Sequence, residues 1–96
     1  MSKRDICPKG QPIHQQLTFK GKTVTREKIL SAMQEFDRYG RNGFPHWRKY
    51  RVIEDGKEYP PKNILSRATG ISVGRFYGGW TTNRIFCELG FRVIEK

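Results

Sequence analysis

The 96-residue chain predicts an α+β fold: a small antiparallel sheet that includes a β-hairpin, packed on about three helices in a winged-helix-like arrangement. Three observations lead there. Two β-prone runs between Tyr50 and Tyr59 flank Asp55-Gly56, the pair best suited to a two-residue type I′ turn. Ile29, Met33 and Phe36 recur at i, i+4 and i+7, one face of a helix with a period of about 3.6 residues. Pro60-Pro61-Lys62 opens a further helix, because proline's fixed φ and missing N–H suit the first turn.

Residues 1–16 hold Lys3, Arg4 and Lys9 among Pro8, Pro12 and Gln15-Gln16 without periodicity. They read as a flexible basic arm, mobile or loosely docked, ahead of a single α+β nucleic-acid-binding domain over residues 17–96. Leu17-Thr18-Phe19 before Lys20-Gly21-Lys22 suggests a short strand and turn. Thr23 or Thr25 then caps the first helix and Gly40 stops it, while Arg26, Lys28, Gln34, Asp37 and Arg38 form an ordinary solvated face. Residues 41–47 are a loop whose Phe44 and Trp47 either cover a thin core or join an aromatic surface patch.

In the hairpin, Glu54 faces Lys57, Ile53 faces Glu58 and Val52 faces Tyr59. Tyr50, Val52 and Tyr59 then share one side, and Arg51, Ile53 and Glu58 the other. The second helix buries Ile64, Leu65 and Ala68 and ends at Gly70. After Gly78-Gly79, Thr81 or Thr82 caps a third helix that reaches Leu89 with Ile85, Phe86 and Leu89 inward. Gly90 follows in the C′ position, and residues 91–94 close as a strand.

Nineteen Lys+Arg against nine Asp+Glu give a net charge of +10, which suits a polyanion and makes nucleic acid, DNA or RNA, the leading partner class. Cys7 and Cys87 have no Cys-x-x-Cys context, and His14 and His46 join them only at irregular spacing, so no metal is expected. Cys87 reads as a buried small hydrophobe, in a reduced cytoplasmic setting of a bacterial or phage-infected cell. The first residues lack the apolar run of a signal peptide, and no stretch is apolar enough to span a membrane. No Ser-His-Asp order, paired catalytic carboxylates, Walker loop or dinucleotide fingerprint is present, so neither catalysis nor a cofactor is expected.

The candidate nucleic-acid contacts fall in two groups. Gly78-Gly79 before a helix either presents backbone N–H groups to a phosphate or packs as a tight turn, with Arg75 and Arg84 flanking it. Tyr77 and Trp80 either stack on bases or are partly buried in the core. Lys62 stands at a helix N-terminus, where the dipole and Arg67 one turn on disfavour a cation; it either meets a bound anion or points into solvent. Arg48, Lys49, Arg51 and Lys57 surround the hairpin, which reads as a basic wing for a phosphate backbone or minor groove, although Glu54, Asp55 and Glu58 dilute its charge.

The run from Ala32 through Phe36-Asp37-Arg38-Tyr39-Gly40 to Arg41, followed by the Tyr50-to-Tyr59 hairpin, resembles the N-terminal head domain of McrA-like modification-dependent restriction endonucleases. Pro61-Lys62-Asn63-Ile64, Ala68-Thr69-Gly70, Phe76-Tyr77-Gly78-Gly79, Thr82-Asn83 and Leu89-Gly90-Phe91 continue the likeness in order over residues 22–95. The resemblance implies a module that precedes DNA-reading and nuclease domains and helps them hold DNA. No His-Asn-His nuclease segment accompanies it, so this chain is expected to act by binding. Besides a DNA module, two further roles fit: an inhibitor from a phage or prophage that docks on a host nuclease or CRISPR complex, and a subunit giving a DNA-binding head in trans. Oligomeric state is not legible. About five or six phosphate contacts would give a slope near −5 for log K against log salt.

Overall fold

The computed structural model describes residues 4–40 and 49–95. Its strands and helices are β1 (Arg4–Asp5), β2 (Gln16–Phe19), β3 (Lys22–Thr25), α1 (Arg26–Tyr39), β4 (Tyr50–Glu54), β5 (Lys57–Tyr59), α2 (Pro61–Thr69), α3 (Trp80–Glu88) and β6 (Arg92–Glu95). A 3-10 turn at Val73–Arg75 lies between α2 and α3. This is the α+β arrangement that the sequence predicts.

Asp55 and Gly56 both take positive φ, 54° and 75°, as a type I′ turn demands. The resulting β4–β5 register pairs Val52 with Tyr59, Ile53 with Glu58 and Glu54 with Lys57, the pairing read from the sequence. Lys20 and Gly21 repeat the device at φ 49° and 79° and close a second hairpin, β2–β3, where the sequence suggested one strand and a turn. The β4–β5 hairpin is not a free-standing wing. β4 pairs on its other side with β6, in a four-stranded antiparallel sheet ordered β1-β6-β4-β5.

Each helix is delimited by local chemistry. Thr25 caps α1, its hydroxyl oxygen accepting the Lys28 N–H at 3.1 Å, and Gly40 ends it. Pro61 begins α2, and Gly70 ends it in the left-handed conformation at φ 79°, donating its N–H to the Ser66 carbonyl. α3 departs from expectation. Its N-cap is Gly79, and Thr82, expected as a cap, instead lies buried and donates its hydroxyl to the Tyr77 carbonyl at 2.6 Å.

Ile29, Met33 and Phe36 of α1, Ile64 and Leu65 of α2 and Ile85 and Phe86 of α3 meet Val52, Tyr59 and Val93 of the sheet in one core. Edge-on rings lock its margins: Phe36 with Tyr59 at 5.8 Å, Phe86 with Phe91 at 6.2 Å and Phe19 with Phe76 at 5.3 Å. Arg26, expected on a solvated face, ties three elements together. Its guanidinium covers the Phe91 ring at 4.2 Å, donates to the Leu89 carbonyl and pairs with Glu54.

Residues 4–16, expected as a mobile or loosely docked arm, are tied down at several points. β1 pairs with β6, Ile6 donates its N–H to the Val93 carbonyl and His14 donates its N–H to the Glu88 carbonyl. Cys7 is disulfide-bonded to Cys87, with Cα atoms 5.3 Å apart across a sequence separation of 80. Cys87 is therefore buried as expected but not a free thiol. The pairing was illegible because only β1–β6 alignment brings these positions together.

A cross-link spanning so much chain removes unfolded-state entropy, with a typical gain of about 2–4 kcal/mol. Protein purified without reductant is expected to show no titratable thiol even after denaturation. Reduction, or Cys7→Ser, should lower the thermal midpoint by roughly 8–20 °C, checked by circular dichroism melts with and without a phosphine reductant.

Candidate nucleic-acid interface

Two helix N-termini converge on one cleft of about 410 Å³. The α2 side contributes Pro60, Pro61, Lys62 and Asn63; the α3 side contributes Gly78, Gly79, Thr82 and Asn83. Neither helix carries an acidic residue in its first turn, and the described residues lining the cleft include Lys49 and Lys62 but no carboxylate. Partial positive charge from both helix ends therefore adds to that of the lysines.

Gly79 is held at φ 65°, ψ −145°, a region essentially reserved for glycine, and this turn swings the chain into α3. The Thr82 and Asn83 N–H groups both donate to the Gly79 carbonyl, at 3.2 and 2.9 Å. The amides of the residues before them have no acceptor within the helix. Gly78 keeps the α2 and α3 ends close. A Cβ placed on it would come within 3.3 Å of the Lys62 Cδ.

Asn83 was not singled out from the sequence. It is 1% exposed, lines the cleft, and its side-chain Nδ2 has no hydrogen-bond partner among the described residues. A buried donor left unpaired costs about 1–3 kcal/mol, so this Nδ2 calls for an acceptor from a ligand or an ordered water. The only sequence signal was its place in Thr82-Asn83, among the family-like motifs.

The structure sorts the expected contacts. Lys62 and Gly78-Gly79, read separately in the sequence, come together, and the Lys62 ammonium lies 5.5 Å from the centre of the Phe76 ring. Tyr77 is 84% exposed and Trp80 49%, so Tyr77 does not serve as core. Arg75 is exposed on the 3-10 turn beside them. Lys20 joins from the β2–β3 turn: its ammonium sits 6.0 Å from the Phe19 ring, which packs edge-on against Phe76.

Other expected contacts are committed elsewhere. Arg51 is buried, 3% exposed, and pairs with Glu58 at 3.3 Å on the far face of the sheet. Lys57 pairs with Asp37, and Arg84 with Glu88 one turn along α3. Arg67 pairs with Glu35 at 2.7 Å and donates to the Asn63 side chain, which relieves its conflict with Lys62. Lys49 lines the cleft, but Glu95 lies 3.0 Å away, and hydrogen bonding and charge from that carboxylate hold the Lys49 pKa above the ordinary lysine value. Arg48, Phe44 and Trp47 fall outside the described residues. Among the described residues the hairpin therefore does not present a basic wing: Arg51 is met by Glu58 within it, Lys57 by Asp37 of α1 and Lys49 by Glu95 of β6.

Fold and cleft define a basic α+β domain with an electropositive recess between two helix N-termini. Compared with known protein families, residues 22–95 match the ScoMcrA-like, N-terminal head domain, and the chain belongs to that family. This agrees with the motif resemblance. No curated protein and no solved structure matches it. No helix among the described residues is long and apolar enough to cross a membrane.

Arg51→Ala separates the structural from the binding cations. Losing a buried guanidinium and its pairing with Glu58 should destabilise the fold by roughly 2–4 kcal/mol. Urea titration is expected to show that loss, while the salt dependence of nucleic-acid binding, measured where the variant remains folded, stays as in the wild type.

Proposed function

We propose that this chain is a non-catalytic DNA-binding module of a restriction system, holding the phosphate backbone of duplex DNA on the face that carries Lys20, Lys62, Arg75 and Tyr77. Membership in the ScoMcrA-like head-domain family suggests the restriction context and DNA as partner. The observation that carries the reading is the distribution of charge. Among the described residues, Lys20, Lys62 and Arg75 have no carboxylate partner, and they surround the Phe19–Phe76 ring pair beside the cleft.

Binding of this kind is electrostatic and sequence-tolerant. Phosphates dock on fixed cations and release condensed counterions, so affinity falls steeply with salt. Tyr77 supplies an exposed ring for a base or sugar at the edge of the contact. The chain's part is to hold the nucleic acid inside the cell while another domain or subunit performs the chemistry.

With three or four phosphates neutralised rather than the five or six first expected, the slope of log K against log salt should be about −3. Lys62→Ala and Arg75→Ala should each reduce that slope by about 1, whereas Lys49→Ala, with its charge already met by Glu95, should change it little. Fluorescence anisotropy with labelled duplex DNA, single-stranded DNA and RNA between 50 and 200 mM salt, roughly the range over which such contacts are felt, reads this directly. A flat salt response on duplex DNA contradicts the reading, and tighter binding to RNA redirects it.

A further inference from the structure

We propose that the cleft between α2 and α3 is a mononucleotide site that takes a base inward against its apolar walls, with the attached phosphate outward at Lys62. The assignment rests on the nucleic-acid reading above and deepens it. Its carrying observation is independent of net charge: Asn83, buried and with no partner for its Nδ2 among the described residues, lines a recess whose other described walls include Phe36, Tyr50, Pro60 and Val73.

The distribution of chemistry within the cleft sets the orientation. The charged groups are accessible, with Lys49 exposed and Lys62 half-buried, whereas the side-chain donor without a partner among the described residues belongs to the fully buried Asn83. A phosphate driven inward would leave its charge against apolar walls. A base driven inward offers a ring carbonyl or ring nitrogen as acceptor for Asn83, flat faces for Tyr50 and the prolines, and leaves its phosphate with the ammonium and the α3 N-terminus. The volume of about 410 Å³ falls in the range of small-ligand pockets. The same chemistry arises from a free nucleotide or from one nucleotide of a strand lifted out of its stack.

Titrating the full-length, isotope-labelled chain with a nucleoside 5′-monophosphate tests the site, and the side-chain amide signal of Asn83 is the readout. Saturable movement of that signal is expected, with roughly tenfold weaker binding, read from the backbone amides of Gly78 and Gly79, in Asn83→Leu, an isosteric change that removes the donor. Gly78→Val, which narrows the cleft against Lys62, should weaken binding likewise if the leucine variant fails to fold. Inorganic phosphate is the control. An equal shift with phosphate alone, or no shift at millimolar nucleotide, overturns the proposal.

Parallel arms with a short single strand and a blunt duplex distinguish the sources. Movement of Asn83 with strand as well as mononucleotide assigns the site to a nucleotide within the polymer, and movement with mononucleotide alone assigns it to the free form. Salt-steep duplex binding without any Asn83 response leaves the DNA module standing and removes only this site. An Asn83 response to mononucleotide without duplex binding does the reverse.

Discussion

The structure depends on β6 pairing on both of its sides. Near the end of the chain, Arg92–Glu95 aligns against β1 on one edge and β4 on the other, and both Val93 and Ile94 are fully buried. Only Leu89, Gly90 and Phe91 connect α3 to β6, with Gly90 at φ 88° making the reversal. Once β6 is seated, α3 can lie in essentially one place. The Arg26 bond to the Leu89 carbonyl and the disulfide at Cys87 fix its C-terminal end, and the Thr82 hydroxyl bond to Tyr77 braces its start. The cleft follows from that placement, because the α3 N-terminus is held against the start of α2.

Charge is divided by the same architecture. The carboxylates at Asp5, Glu35, Asp37, Glu54, Glu58, Glu88 and Glu95 all engage cations, mostly between elements distant in sequence. Exposed pairs of this kind add little stability each. Their larger effect is to decide where the excess charge is not. Among the described residues, the cations of the hairpin and of the outer face of α3 are matched by carboxylates, whereas Lys20, Lys62 and Arg75 around Phe76 and the cleft mouth have none, as do Lys9, Lys22, Lys28 and Arg38 elsewhere.

Local rules made much of the fold legible. The Asp55-Gly56 turn fixed a register that the structure reproduces pair for pair, and the Thr25 cap, the Pro61 start and the Gly70 stop each act through neighbouring backbone alone. What escaped depends on long-range geometry. The Cys7–Cys87 bond, the docking of residues 4–16 and the burial of Arg51 all follow from β1–β6–β4 alignment, which no local pattern encodes. At the site, Lys62 and Gly78-Gly79 were visible as separate anomalies of a helix N-terminus. Their convergence, and Asn83 beneath them, required the fold. Thr82 misled because a threonine one turn into a helix looks like a cap when a glycine in an unusual conformation already serves as one.

The central claim is that nucleic acid meets the face on which the α2 and α3 N-termini converge. Backbone chemical-shift mapping of the labelled protein with a short DNA duplex tests it most directly. The account predicts the largest changes at Lys62, at residues 76–81 and at Lys20-Gly21, with little movement at the β4–β5 turn. Changes concentrated on Asp55, Gly56 and Lys57 would contradict it, because they would place the contact on a hairpin whose cations are already matched by carboxylates.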